Sequence, residues 1–138
     1  MFTPFLLTRV DLHYSAALRA FLGPDAPAAI AALGDLALLD CRPLAIFCSS
    51  RCPGSLIVQA SDLAHALADR GAAVIGGFHT PVEAACLEIL LAGVGPLIVC
   101  PARGMYKTIP AKLRKPLAEG RLLLLSPFDA AERRVTAE

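Results

Sequence analysis

The sequence predicts an α/β fold, a mainly parallel sheet sandwiched between helices. Three observations carry this. Four short apolar runs, at 44–48, 72–76, 96–100 and 121–126, recur along the chain. None alternates polar with apolar residues, which is the pattern of strands buried on both faces. Between the first three lie segments of helical periodicity, each followed by a glycine where a helix C-cap belongs. Such strand–helix alternation with right-handed crossovers gives a Rossmann-like three-layer sandwich of at least four strands, with an expected order of 3-2-1-4 and helices on both faces.

Taken in order, residues 1–40 are the least regular. Leu18, Phe21 and Leu22 have helical spacing, but Gly23-Pro24 and Pro27 cut the segment into pieces. The expectation is an N-terminal segment of short helices packed on the main body, with the Rossmann-like domain at 41–138. The run at 44–48 then leads through Ser-Ser-Arg-Cys-Pro-Gly into a helix, with Leu56, Ala60, Leu63, Ala64 and Leu67 on one face and Gly71 after it. The run at 72–76 leads into a helix with Val82, Cys86, Ile89 and Leu90 on one face, stopped at Gly93. After 96–100 comes a longer loop, then a short helical piece interrupted at Pro116 and closed at Gly120, then the run at 121–126.

Composition bounds the function. The 138 residues are 56% hydrophobic and 18% charged, which predicts extensive burial and a homo-dimer or higher homo-oligomer. A net charge of +1 leaves no global field to recruit nucleic acid, so any basic surface is local. No apolar run approaches the roughly 18 residues of a membrane span. The N-terminus has no basic start before its apolar residues, so no signal peptide is expected. Five irregularly spaced cysteines read as buried or half-buried thiols of a cytoplasmic protein.

In an open parallel sheet, ligands bind beyond the carboxyl ends of the strands. Four loops leave those ends. The first offers Ser49, Ser50 and Arg51 before a helix start, a combination of hydroxyls, backbone N–H groups and guanidinium that suits a phosphate. In the second, Thr80, Pro81 and Glu83 make a capping box with proline at the first helical position. Gly76 and Gly77 allow close approach of a backbone or ligand. Phe78 and His79 complete this loop, so residues 76–80 are ligand-loop candidates. The third carries Arg103 and Lys107 around Tyr106, basic groups with an interleaved aromatic that suit a single strand of nucleic acid. Lys112, Arg114 and Lys115 extend it, and Lys112 and Lys115 read as a solvated helix face. Cys48, Cys52, Cys100 and His79 share the edge, but no pair has the short spacing of a structural zinc site, so no metal and no cofactor are expected.

The stretch "GDLALLDCRPLAIFCSSRCPGSLIVQASDLAHALADRGAAVIGGF" resembles the opening of the Rossmann-like domain of the DNA-processing protein A family (DprA, also called Smf). The family's Gly-Asp lead-in corresponds to Gly34-Asp35 with Leu38. Its strand end Gly-Ser-Arg corresponds to Ser49-Ser50-Arg51, and its later strand ending in Leu-Ser-Glu to "RLLLLSPF". The chain departs from the family in lacking its Arg-Gly-Ile-Asp and in carrying Pro127 where an acidic residue is usual. The Arg-Asn-Arg segment that normally follows is absent before Glu138, as in a reduced or truncated relative. The resemblance implies a non-catalytic domain that binds single-stranded DNA or a nucleotide during DNA processing and transformation. A second resemblance, of "IFCSS" and "GGFHTPVE" to the LONELY GUY phosphoribohydrolases, implies the alternative of an N-glycosidase using Glu83. There Cys48-Ser49-Ser50 lacks the family's glycine and His79 replaces the third glycine of its second motif.

Overall fold

A computed structural model describes residues 2–131 of the chain. Its strands are β1 (Phe5–Thr8), β2 (Ala29–Gly34), β3 (Leu44–Ala45), β4 (Val74–Gly76), β5 (Leu97–Val99) and β6 (Leu122–Ser126). Its α-helices are α1 (Ala16–Leu22), α2 (Gly54–Asp69), α3 (Pro81–Ala92) and α4 (Ala111–Ala118). All six strands form one sheet in the order β1-β2-β6-β5-β4-β3.

The unbroken apolar runs are explained by two cores. Leu122 and Leu124 point to one side with Leu33, Val74, Leu97 and Val99, beneath α3 and α4. Leu123 points to the other with Ile30, Ala32 and Ile98, where Tyr14, Leu38 and the partly buried Leu18 cover the sheet. A strand with helices on both sides has no solvent face to make polar, so β6 reads as leucine after leucine.

The expected order 3-2-1-4 is not the one found. The four parallel runs lie in chain order, β3-β4-β5-β6, and β6 then pairs antiparallel with β2. The physical reason is burial. Leu122, Leu123 and Leu124 are wholly buried between β5 and β2, whereas Leu44 is 49% and Phe47 86% exposed. The first run therefore suits the sheet edge and not its centre. It is also shorter than expected, with two residues in the ladder and a third bond from Ile46 N–H to the Ile75 carbonyl.

Chain-order strands put all three crossover helices, α2, α3 and α4, on one face. The other face is covered by α1 and by a 3₁₀ turn, Leu36–Cys41, capped by the Asp35 side chain on Ala37 N–H at 2.9 Å. The first 34 residues contain more than short helices. β1 and β2 are part of the same sheet, paired antiparallel through Phe5 to Thr8. Gly34, at φ +121°, ends β2 where a Cβ would overlap the Leu122 carbonyl, so the lead-in glycine is fixed by strand proximity.

The faces of the crossover helices follow their neighbours. Val82, Cys86, Leu87 and Leu90 of α3 are buried. α2 packs through Ala60, Ala64, Leu67 and Ala68, but Leu56 and Leu63 remain 48% exposed. Among the described elements α2 packs chiefly against α3, and these two leucines stay outside the buried contact. Among the described residues no helix is long and apolar enough to cross a membrane.

Candidate functional site

At the amino ends of the strands, Arg121 is bound up in structural bonds. Arg121 donates to the carbonyls of Gly95 (3.1 Å) and Leu91 (2.5 Å) and to the Glu119 carboxylate (3.1 Å). Its charge holds the C-terminal turn of α3 onto the sheet, so this edge offers no free cation from Arg121.

The carboxyl ends differ. After β3, Arg51 N–H donates to Ser49 Oγ at 3.2 Å, a local turn that leaves Ser49, Ser50 and Arg51 exposed. α2 begins directly after at Gly54, with Pro53 as its cap and no side chain on its first N–H groups. Leu56 N–H donates to the Pro53 carbonyl at 3.0 Å, which leaves the amides of Gly54 and Ser55 without a side-chain acceptor at the positive end of the helix dipole. Among the described residues Arg51 has no carboxylate partner.

After β4 the loop is built inward. Phe78 is buried at φ +55°, a left-handed conformation that a bulky side chain rarely adopts. Two glycines make room. A Cβ on Gly76 would lie 3.2 Å from the Phe78 ring and from the Ile46 carbonyl, and one on Gly77 would overlap the His79 imidazole. The capping box expected from Thr80, Pro81 and Glu83 is present, with Glu83 N–H on Thr80 Oγ1 at 3.3 Å. Glu83 does more than cap. Only 6% exposed, it accepts from Cys48 N–H (3.2 Å) and Thr80 Oγ1 (2.8 Å) at Oε2, and from His79 N–H (3.4 Å) at Oε1. One carboxylate thus fastens the β3 exit to the β4 exit. The bond to Cys48, 35 residues away in sequence, has no local signature.

After β5, Cys100 N–H donates to the Gly76 carbonyl at 2.9 Å and continues the edge. Burial pushes the Cys100 thiol up to about 11. The Arg103 guanidinium lies 4.5 Å from the centre of the Tyr106 ring, a cation–π pair, and its Nε–H donates to the Gly104 carbonyl at 3.3 Å. Gly104 is fixed by crowding, since a Cβ there would overlap the Asp129 carbonyl. Arg103, Met105, Lys107, Ala130 and Ala131 line an open cavity of about 500 Å³, and Lys107 has no carboxylate partner among the described residues. Lys112 pairs with Glu88 at 2.7 Å and Lys115 with Glu119 at 3.7 Å, as expected of a solvated helix face.

The structure therefore brings Ser49, Ser50, Arg51, Gly76, Gly77, Phe78, His79 and Thr80 to neighbouring loops. Arg103 and Lys107 follow on the next loop along the edge. The cysteines divide differently. Cys48 and Cys52 pack with Cys86 between α2 and α3, whereas Cys100 belongs to the opposite face of the sheet. No group of metal-ligating side chains assembles among the described residues.

This edge lies in a chain whose residues 5–136 match the profile of the DNA recombination-mediator protein A family. The chain belongs to that family. DprA folds are its structural counterparts. The X-ray structure of DprA from Streptococcus pneumoniae superposes with a TM-score of 0.70 at 18% identity, over 96% of this chain and 46% of that one. DprA from Helicobacter pylori, described for its single-stranded DNA binding mode, superposes with a TM-score of 0.63 at 22% identity, over 97% of this chain and 60% of that one. This DprA-family chain thus spans about half the length of those proteins. No curated protein matches it.

Proposed function

We propose that the chain binds the sugar–phosphate backbone of single-stranded DNA, or a nucleotide phosphate, across the carboxyl edge of the sheet. The observation that carries this is the run of neighbouring exit loops along one edge, with two cations, Arg51 and Lys107, that no described carboxylate neutralises. Ser49, Ser50, Arg51 and the first amides of α2 take one phosphate. The loop at 76–80 shapes the floor beside it. Arg103 and Lys107 take the next, and Tyr106, held beneath Arg103, offers a ring edge to a base. The family and the neighbouring DprA folds support a single-stranded ligand, with DNA processing and uptake as its setting and the cytoplasm as its place. The reading requires no cofactor and no metal.

The test is anisotropy of a fluorescein-labelled oligo-dT across a salt series. Each phosphate neutralised contributes about 0.7 to the slope of log K against log salt for single strands. Arg51→Ala lowers affinity and flattens that slope by about this amount; an unchanged slope sinks the reading.

The N-glycosidase alternative would use Glu83 as acid or base. Both its oxygens already accept backbone or hydroxyl hydrogens inside the fold, which favours a clamping role. Release of adenine from AMP, abolished by Glu83→Gln, would reverse this. Self-association belongs to the same reading. It is supported by the exposed Leu44, Phe47, Leu56 and Leu63 around the terminal strand, and a strictly monomeric sedimentation profile would remove it.

A further inference from the structure

Two thiols bracket the exposed loop after β3. Cys48 stands at its start and Cys52 at its end, separated only by Ser49, Ser50 and Arg51. Both are half-buried free thiols, and both pack against the small cluster of Ala64, Val82 and Cys86 between α2 and α3. Only the turn closed by Arg51 N–H on Ser49 Oγ separates them, and both side chains face that same cluster. The third thiol, Cys86, is buried and directed at the Ala60 carbonyl of α2 at 3.7 Å, so it is engaged elsewhere.

We propose that Cys48 and Cys52 form a reversible thiol–disulfide couple that closes the Ser49-Ser50-Arg51 loop, with a low-molecular-weight disulfide as the oxidant. The chemistry balances as two exchanges. The Cys52 thiolate attacks one sulfur of oxidised glutathione and expels a glutathione thiolate, giving a mixed disulfide. The Cys48 thiol loses its proton to solvent, attacks the Cys52 sulfur and expels the second glutathione. Two protein thiols are oxidised and one glutathione disulfide is reduced to two thiols. Burial, then the neighbouring Cys52, Glu83 and Cys86, push the Cys48 thiol up, which slows its own attack. Cys48 suits the resolving role because Glu83 holds its backbone N–H in place.

Closure ties the end of the strand to the start of α2. Residues 49–51 are then confined to a small ring whose amides and guanidinium no longer converge freely on an anion. This consequence rests on the phosphate-binding reading above; the couple itself does not.

The experiment incubates the 138-residue chain with oxidised glutathione and reads three quantities. Intact mass falls by the two hydrogens of one disulfide, and fragmentation of the linked tryptic peptides places the bond between Cys48 and Cys52, leaving Cys41 free. Limited trypsin cleavage of the native chain after Arg51 slows at least several-fold and recovers on adding dithiothreitol. Labelled oligo-dT binds the oxidised chain about tenfold more weakly than the reduced one. Cys52→Ser abolishes all three responses to oxidant, while Cys86→Ser keeps them. A disulfide that maps to Cys86, a glutathione adduct that never resolves, or unchanged cleavage after Arg51 overturns the couple. If the reduced chain fails to bind oligo-dT, the phosphate-binding reading falls, and the couple is still decided by linkage and cleavage. Unchanged or tighter binding by the linked chain, with normal binding by the reduced one, removes the switching consequence.

Discussion

The loops after β3 and β4 leave neighbouring strands side by side and are built in opposite ways. The β4 loop turns inward: Phe78 is buried, Gly76 gives way to its ring and Gly77 to the His79 imidazole, and a buried carboxylate satisfies the surrounding amides. The β3 loop turns outward: Ser49, Ser50 and Arg51 are exposed and the helix behind them begins uncapped by any side chain. The first spends its hydrogen-bonding groups on the protein, the second keeps them for solvent or a ligand. Sharing an edge with a ligand loop does not make a loop a ligand loop. The β4 loop is the floor on which the β3 loop is held, and Glu83 is the fastener between them.

This contrast breaks most readily at Phe78. Phe78→Ala removes a buried ring and keeps the left-handed backbone, so it should lower stability by about 3–5 kcal/mol. Phe78→Gly removes more atoms but releases the positive φ, and should be about 1 kcal/mol more stable than the alanine variant. Urea unfolding of the pair decides it; a glycine variant less stable than the alanine one would show that the backbone at 78 carries no strain.

Next comes the fastener. Glu83→Ala leaves the N–H groups of Cys48 and His79 and the Thr80 hydroxyl without their acceptor, a loss on the order of 3 kcal/mol. Glu83→Gln keeps one acceptor oxygen and should lose about half of that. Equal stabilities of wild type and Glu83→Ala would free the carboxylate for chemistry.

A third break acts at Cys100, whose backbone N–H braces Gly76 and whose thiol packs on the opposite face of the sheet. Its thiol ionises near 9 when unfolded and at about 11 when folded. The folded state therefore holds its proton longer, and the stabilisation is complete below pH 9 and lost as pH rises through 11. Across that window wild type should lose on the order of 2 kcal/mol relative to Cys100→Ala. Parallel stability curves for the two proteins would place the thiol in contact with solvent.

How much of this was legible in the sequence follows the same division. Thr80, Pro81 and Glu83 announced a helix start because capping is local chemistry between residues three apart. The apolar runs announced strands because a two-sided core leaves no polar positions. Strand order was not legible. It depends on β2, whose sequence Ala-Ile-Ala-Ala-Leu-Gly has helix-forming alanines and takes its strand state from pairing with β1 and β6. Nor was the edge position of β3, since Leu44 and Phe47 read as core residues and are exposed at the terminal strand of the described sheet and just after it. The Glu83–Cys48 bond was invisible for the same reason: it joins two crossovers.

The smallest effect on the fold is the most informative about the outward loop. Among the described residues Arg51 makes one hydrogen bond, from its backbone N–H to Ser49 Oγ, and its guanidinium has no carboxylate partner. Arg51→Ala should therefore leave the unfolding midpoint unchanged within about 0.5 kcal/mol. Oligo-dT affinity at low salt should fall about tenfold, with the difference shrinking as salt rises, because the lost term is counterion release. Arg51→Lys keeps the charge and loses the two-pronged geometry, so it should keep the salt slope and recover only part of the affinity. A variant that loses stability instead would show that Arg51 holds the loop together; one that loses affinity at the same rate at every salt would show that it reads something other than phosphate.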